Sequence, residues 1–288
     1  MNGFKDTLFS QKHTINCKGR IVDFNSPRVM GIMNCTPDSF YDGGQLEDKD
    51  SIVRKTEQMV AEGTDIIDIG AYSSRPGAKD ITIKEEINRL ACILPEIKKR
   101  SDKVIISVDT FRSEVAGFVI REFGVDIIND ISAGMLDMEM FELIGEYSVP
   151  YIMMHMPGNP AIMQNYTNYK DITRDILSFF AQRIDKAKKA GIDDIIIDPG
   201  FGFGKTIDQN FKLLKDLHLF TVFGYPVLAG MSRKSMIYKP LDTDPQGALN
   251  GTSILNTIAL NNGARILRVH DVKAAKETVQ LFSLYTGA

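Results

Sequence analysis

Only three cysteines, Cys17, Cys35 and Cys92, occur in 288 residues, and no two of them form a C-x-x-C pair. So sparse and odd a set excludes a disulfide framework and a thiolate metal site, and it points to a reducing, cytoplasmic setting. No apolar run approaches the ~18 residues that a membrane-spanning helix needs, and residues 1–20 lack the apolar core of a secretory signal. Charge of one sign is missing too. Lys and Arg number 34 against 37 Asp and Glu, a formal net charge of −3, so nothing global favours nucleic acid or an anionic membrane as a partner. Glycine (23) and proline (11) are too few for a low-complexity or collagen-like chain. What remains is ordinary globular composition, 43% hydrophobic and 25% charged. The length allows either two domains or one α/β barrel of ~250 residues.

Eight short β-branched runs recur, at 28–34, 65–70, 103–109, 125–129, 150–155, 194–198, 225–230 and 264–269. Most are continuous apolar segments, such as Val104-Ile-Ile-Ser-Val108, as expected of strands buried on both faces of a parallel sheet. Amphipathic stretches predict helices at 49–62, 82–99, 113–123, 137–147, 171–190, 208–220, 245–262 and 272–284. In the first, Ile52, Val53, Thr56, Met59 and Val60 keep helical spacing and Gly63 supplies a stop. Strand starts recur about every 34 residues, the size of one βα unit. Eight such units predict an α/β fold, a (β/α)8 TIM barrel over about 28–284, with a doubly wound sheet as the alternative that periodicity leaves open. Ahead of it, 13–17 and 20–24 flank Lys18-Gly19, which predicts a β-hairpin over about 13–24 placed to cap the barrel floor. The whole chain, 1–288, then reads as one domain.

Barrel enzymes carry their chemistry at the C-terminal ends of the strands. Here those ends are polar on nearly every strand: Asn34, Asp109, Asn129 with Asp130, His155, Asp198, and Arg268 with His270, while Lys234 follows Gly230. Each alone could merely cap the next helix. Together they bring carboxylates, a carboxamide and cations to one mouth, a set that suits a flat heterocycle with donor and acceptor edges. A carboxylate accepts two parallel N–H bonds from an amino-pyrimidinone edge, Lys reaches a carbonyl or ring nitrogen, and Arg stacks on the ring face.

Three loops sharpen this reading. Gly200-Phe-Gly-Phe-Gly-Lys-Thr206 fails the P-loop pattern because Pro199 stands at its first glycine, and it also fails G-x-G-x-x-G. Its glycines instead suit a tight backbone turn beside a ligand, with Phe203 available for stacking. The loop 34–44 offers hard oxygen ligands of the kind Mg2+ accepts beside phosphate. In Ser73-Ser-Arg-Pro-Gly77, Arg75 is placed as an anion clamp.

Taken in order, Met30-Gly-Ile-Met-Asn-Cys-Thr-Pro-Asp-Ser-Phe-Tyr-Asp-Gly-Gly44, Asp68-Ile-Gly70, Ser74-Arg-Pro-Gly77, Ser107-Val-Asp-Thr110, Asn129-Asp-Ile-Ser132, Met154-His-Met156, Ile197-Asp-Pro-Gly-Phe-Gly-Phe-Gly-Lys205, Gly230-Met-Ser-Arg-Lys234 and Arg268-Val-His-Asp-Val272 closely resemble the dihydropteroate synthases of the pterin-binding barrel family. The resemblance implies joining of 6-hydroxymethyl-7,8-dihydropterin diphosphate to 4-aminobenzoate, with Mg2+, giving 7,8-dihydropteroate and pyrophosphate. It implies that Asp109, Asn129, Asp198 and Lys234 bind the pterin and that Arg268 stacks on it. Asn34 would help hold Mg2+ and pyrophosphate, with Ser74, Arg268 and His270 bordering the diphosphate. Phe203, Lys234 and Ser235, with Phe40, Arg75 and Pro76, would line the 4-aminobenzoate pocket, where sulfonamides compete in this family. Asp109, Lys234 and Arg268 would be catalytic, in a dissociative substitution with no side-chain nucleophile. The resemblance further implies a homodimer formed through barrel helices. Two positions depart from the family pattern, Tyr72 where Glu is usual and Ser74 where Thr is usual. Two other readings are a methyltetrahydrofolate carrier of the same fold, which would lack the loops 34–44 and 73–77, and a Schiff-base aldolase using Lys234.

Overall fold

The computed structural model describes residues 12–35, 45–73 and 80–287. The hairpin forms first, from β1 (Thr14–Cys17) and β2 (Arg20–Asp23), antiparallel from Thr14↔Asp23 to Cys17↔Arg20. Lys18 and Gly19 both take positive φ, +54° and +89°, the twist that a two-residue hairpin turn demands. Asn16 Oδ1 holds the turn by accepting from the Gly19 N–H at 2.6 Å.

Eight parallel strands follow: β3 (Arg28–Asn34), β4 (Ile66–Gly70), β5 (Ile105–Asp109), β6 (Ile127–Asp130), β7 (Tyr151–Met154), β8 (Ile195–Asp198), β9 (Val227–Ala229) and β10 (Ala264–Val269). Each pairs with the next, and β10 pairs with both β9 and β3. That closure makes a TIM barrel and removes the doubly wound alternative. The outer helices are α1 (Gln45–Ala61), α2 (Ile83–Lys98), α3 (Ser113–Phe123), α4 (Met140–Tyr147), α5 (Ile172–Lys189), α6 (Ile207–Lys215), α7 (Ser235–Tyr238), α8 (Leu249–Asn261) and α9 (Val272–Thr286).

Two expectations about helices change. The stretch 208–220 is not one helix: α6 stops at Lys215 and a tighter 3-10 segment runs over Leu217–Phe223. Leu217 and Phe220 are both buried there, and their spacing of three matches the 3-10 period better than the α period. The stretch 245–262 becomes helical only at Leu249, and the single-turn α7 precedes it.

Side chains alternate along a strand, so every second residue enters the barrel. Met30, Ile66, Ile105, Ile127, Ile152, Ile196, Leu228 and Ile266, one from each strand, form an apolar floor. Ile15, Cys17, Val22 and Phe24 of the hairpin region pack against it. The hairpin therefore caps the floor, as its sequence position predicts. Val29, Ile67, Ile106, Ile128, Ile195 and Leu267 alternate with the floor residues and join the larger core beneath the helices.

Candidate active site

Two residues above the apolar floor the interior turns polar. The same alternation that buries Ile66, Ile105, Ile127, Ile196 and Ile266 places Asp68, Ser107, Asn129, Asp198 and Arg268 in the next layer of the barrel. Asp68 is its hub and is fully buried. Its Oδ2 accepts from Arg268 Nε at 2.7 Å and from Asn129 Nδ2 at 3.0 Å, and its Oδ1 accepts from the Ser107 hydroxyl at 2.6 Å. Arg268 also donates through Nη2 to Asp109 Oδ2 at 2.8 Å. One guanidinium thus bridges two carboxylates. The motif reading quotes Asp68 but gives it no role; counting by twos from Ile66 is the signal that would have found it.

A third layer rims the mouth. Strand register sets Asn34, Gly70 and Asp109 side by side across β3 to β5, with Asn129 of the layer below paired to Asp109 across β6. Gly70 keeps the row open, since a Cβ built there would lie 3.6 Å from Asp109 Cβ and 3.9 Å from Asn34 Oδ1. Across the barrel Gly230 does the same between Arg268 and Asp198 Oδ2. Asp198 is pinned by the Gly200 N–H, which donates to Oδ1 at 2.8 Å, so Oδ2 remains for a ligand.

The glycine loop turns as tightly as its sequence implies. Gly200 and Gly202 take φ of +73° and +83°, and a Cβ on Gly200 would stand 2.0 Å from the His155 carbonyl oxygen. The loop's Phe201 carbonyl accepts from Lys234 Nζ at 2.5 Å, and the same ammonium lies 4.7 Å from the centre of the Phe203 ring. Lys234 and Phe203 therefore meet, with Ser235 next in the chain as the first residue of α7. Lys205 lies beneath, its Nζ donating to the carbonyls of Gly200 at 2.7 Å and Phe203 at 2.9 Å and contacting His155 Nδ1 at 3.2 Å. The strand stops at Met154, one residue short of the sequence expectation, and the His155 ring is buried among Lys205, Phe179 and Tyr169. His270 is tied to Ser232, whose hydroxyl accepts from the His270 N–H at 3.2 Å and contacts Nδ1 at 3.1 Å.

A flat ring needs an apolar wall as well as polar edges. Ile131, Met154, Met156 and Met163 form a separate buried cluster, with Phe111 and Phe203 packed against it. Sequence reasoning identifies Phe203 alone from this group. Tyr72 packs edge-on against Phe111 at 5.1 Å, and the Arg112 guanidinium lies 5.2 Å from its ring centre. Arg112 is itself bound to Glu86 at 2.9 Å, so the departure at Tyr72 has found a packed place. Phe40, Ser74, Arg75 and Pro76 lie outside the described residues.

Burial sets the charges. Loss of water pushes the carboxyl pKa of Asp109 up, against the pull of Arg268 and with the help of Asp68. Burial raises Asp198 as well, opposed by Lys234. Burial works against the charge on Arg268, but Asp68 and Asp109 overcome it and hold the guanidinium above its ordinary value. Lys234 is lowered to about 8 by burial, with Asp198 opposing. His270 is lowered to about 4, by burial and then by Arg268, and is neutral at pH 7. Among the described residues no group of three or more His, Cys, Asp or Glu side chains could hold a metal ion. Among the described residues the rim offers the Asn34 carboxamide and the Asp109 carboxylate as oxygens. That is a thin set, and it fits a Mg2+ that draws most of its ligands from substrate phosphate.

Comparisons with known proteins identify the family of the barrel. The profile of the pterin binding enzymes matches residues 30–270. A dihydropteroate synthase from Synechocystis sp. is 42% identical over 249 residues, 85% of this chain and 86% of that protein. Among solved structures, the Yersinia pestis dihydropteroate synthase with a sulfonamide drug superposes with a TM-score of 0.87 at 36% identity, covering 96% of this chain and 100% of that one. The Xanthomonas albilineans enzyme with 4-aminobenzoic acid gives 0.86 at 36% identity, covering 96% and 99%.

Proposed function

The chain belongs to the pterin-binding enzyme family, among its dihydropteroate synthases, and from that premise we propose how its residues divide the work. The reaction is a transfer: the C–O bond between the pterin methylene and diphosphate breaks, and a C–N bond to the amine of 4-aminobenzoate forms. The observation that carries the assignment is the polar layer set on an apolar floor, with Asp68, Asp109, Asn129, Asp198 and Arg268 facing one barrel interior.

Asp198 Oδ2 and Asn129 hold the amino-pyrimidinone edge, and the methionine wall with Ile131 receives a ring face. Lys234 reaches the ring's carbonyl or nitrogen. Arg268, locked by two carboxylates, presents its plane to the pterin without changing rotamer. As the C–O bond lengthens, positive charge spreads from the methylene into the ring, and the Asp109 carboxylate beside it offsets that charge. Phe203, Lys234 and Ser235 border the incoming amine, with Phe40, Arg75 and Pro76 completing that pocket. Once the C–N bond has formed, the amine releases its proton to departing diphosphate or solvent. Ser74 and neutral His270 meet the diphosphate by hydrogen bonding. Asn34 would hold Mg2+ together with the diphosphate oxygens, and that ion, when bound, supplies charge neutralisation on the leaving group. Burial lowers Lys234 to about 8, a direction that a Schiff-base lysine would share, so it is the family to which the chain belongs, rather than the lysine's charge state, that sets the aldolase aside.

We further place the activity in one domain over 1–288 and in the cytoplasm; no helix among the described residues is long and apolar enough to cross a membrane. Purified protein given pterin diphosphate, 4-aminobenzoate and Mg2+ should release pyrophosphate only when the amine is present. No 4-aminobenzoate-dependent product would sink the assignment.

The homodimer belongs to the same proposal, through the face of α8 and α9. Ile254, Leu281, Leu284 and Tyr285 are exposed there by 52%, 67%, 75% and 82%, and a groove of about 440 Å³ runs between Ile254, Thr257, Leu281 and Phe282. Exposed apolar side chains concentrated in this way mark an interface. Sedimentation equilibrium should give a dimer for the parent and a monomer for Leu281→Glu with Leu284→Glu; a monomeric parent would remove the assembly while leaving the activity intact.

A further inference from the structure

The loop carrying Lys234 and the segment that leaves β10 just after Arg268 are joined by a fork that the reaction itself does not use. Arg233 donates through Nε to Asp271 Oδ2 at 2.8 Å and through Nη2 to Asp271 Oδ1 at 2.7 Å. This is the parallel two-bond geometry that fixes direction as well as distance. Its Nη1 donates to the Pro245 carbonyl at 3.0 Å, and its backbone N–H donates to Thr252 Oγ1 at 3.2 Å. The backbone of Arg233 itself stands at φ +56°, in the left-handed region that a long side chain occupies only where its surroundings impose it. That residue immediately precedes Lys234, and Asp271 immediately follows His270.

Resting on the reading of the site given above, we propose that Arg233 and Asp271 act as one positioning pair, holding the left-handed turn that aims Lys234 over Phe203 and fixing it relative to Arg268 and His270. An ion pair exposed to water ordinarily contributes little. This one differs because its side chain also gathers the backbone ahead of α8, and because the turn it holds is unfavourable for the residue that makes it. The Ser232–His270 contacts form a second tie between the same two loops, so losing the fork loosens the pair of loops without separating them.

Two variants test the pair. Arg233→Gly leaves the left-handed turn accessible and removes the fork together with the bond to the Pro245 carbonyl, and Asp271→Asn keeps shape while removing charge. Each should lower kcat by about 10- to 100-fold, the scale of a catalytic group displaced by roughly 1 Å. The double variant should fall no more than about 3-fold below the weaker single, because the two residues work as a unit. A second readout needs no substrate. Competitive acetylation of Lys234, followed by mass spectrometry across pH, should be half-maximal near pH 8 in the parent, where burial draws the ammonium down to about 8. In both variants it should move toward the ordinary 10.5 as the ammonium gains water. Turnover by the parent judges the assigned reaction, and the labelling midpoint judges the clamp. Losses that multiply in the double variant, or a Lys234 midpoint unchanged in both singles, would overturn the positioning pair.

Discussion

Asp198→Asn should raise the dissociation constant for a non-reacting pterin at least about 100-fold in isothermal calorimetry. The carboxylate is buried on the strand end, with Oδ1 occupied by the Gly200 N–H and Oδ2 left toward Gly230. In the variant the Gly200 donor selects the amide oxygen for its own partner, which turns the NH2 group toward the ligand. A donor then faces the donors of the amino-pyrimidinone edge. A charge-assisted hydrogen bond contributes about 1.5–3 kcal/mol, and losing the one at Oδ2 while setting a donor against a donor in its place corresponds to a factor of roughly 10² or more. The pH dependence gives a second signature. Burial raises the carboxyl of Asp198 above its ordinary 3.8, and only the ionised form accepts two N–H bonds. Affinity in the parent should therefore begin to fall, as pH is lowered, before an ordinary aspartate would titrate. The Asn variant should lack that dependence, and an unchanged affinity at pH 8 would refute the role.

Much of the fold was legible because βα periodicity is local. Continuous β-branched runs mark strands buried on both faces, and the repeat of about 34 residues marks the crossover helix between them. Closure was not local. It rests on β10 meeting both β9 and β3, and no window of sequence contains both partners. The 3-10 segment Leu217–Phe223 was missed for a related reason: Leu217 and Phe220 fit an α-helical stripe as well as a 3-10 one, and only their burial decides.

The site divides the same way. Asp109, Asn129, Asp198 and Arg268 were found because they close or nearly close strands, where barrel chemistry gathers. Asp68 lies two residues inside the end of β4, so a search of strand ends passes over it, although it holds three of the layer's hydrogen bonds. The wall of Ile131, Met154, Met156 and Met163 was hidden because apolar residues in a TIM barrel read as core. Arg233 was hidden because a left-handed backbone on a non-glycine residue leaves no mark in composition. Motifs point to the residues proposed to touch ligand, and the structure adds those that hold them still.

Arg268 should be the residue whose loss costs both folding and turnover. In Arg268→Met the fully buried Asp68 and its neighbour Asp109 lose their shared counter-charge, having been held at 2.7 and 2.8 Å. Removing one partner from a buried charge network typically destabilises by about 3–5 kcal/mol, which urea unfolding at pH 8 would register directly. The sign with pH follows from the carboxyls. Burial already raises Asp109 to about 7, against the pull of Arg268, and without the guanidinium that carboxyl is pushed further upward. A carboxyl raised in the folded state adds stability below its unfolded value near 3.8 and loses it as pH climbs through the folded value. The deficit of Arg268→Met should therefore be greatest above about pH 7 and should shrink as pH falls toward 4. Adding Asp68→Asn removes one of the stranded charges and should recover part of the stability. It cannot recover turnover, because no cationic plane then stacks on the pterin or faces the diphosphate, and kcat should remain down by about 10²–10³. A variant Arg268→Met as stable as the parent at pH 8 would show that the network is not held by charge. Restored turnover in the double variant would show that Arg268 only neutralises Asp68 and takes no part in the transfer.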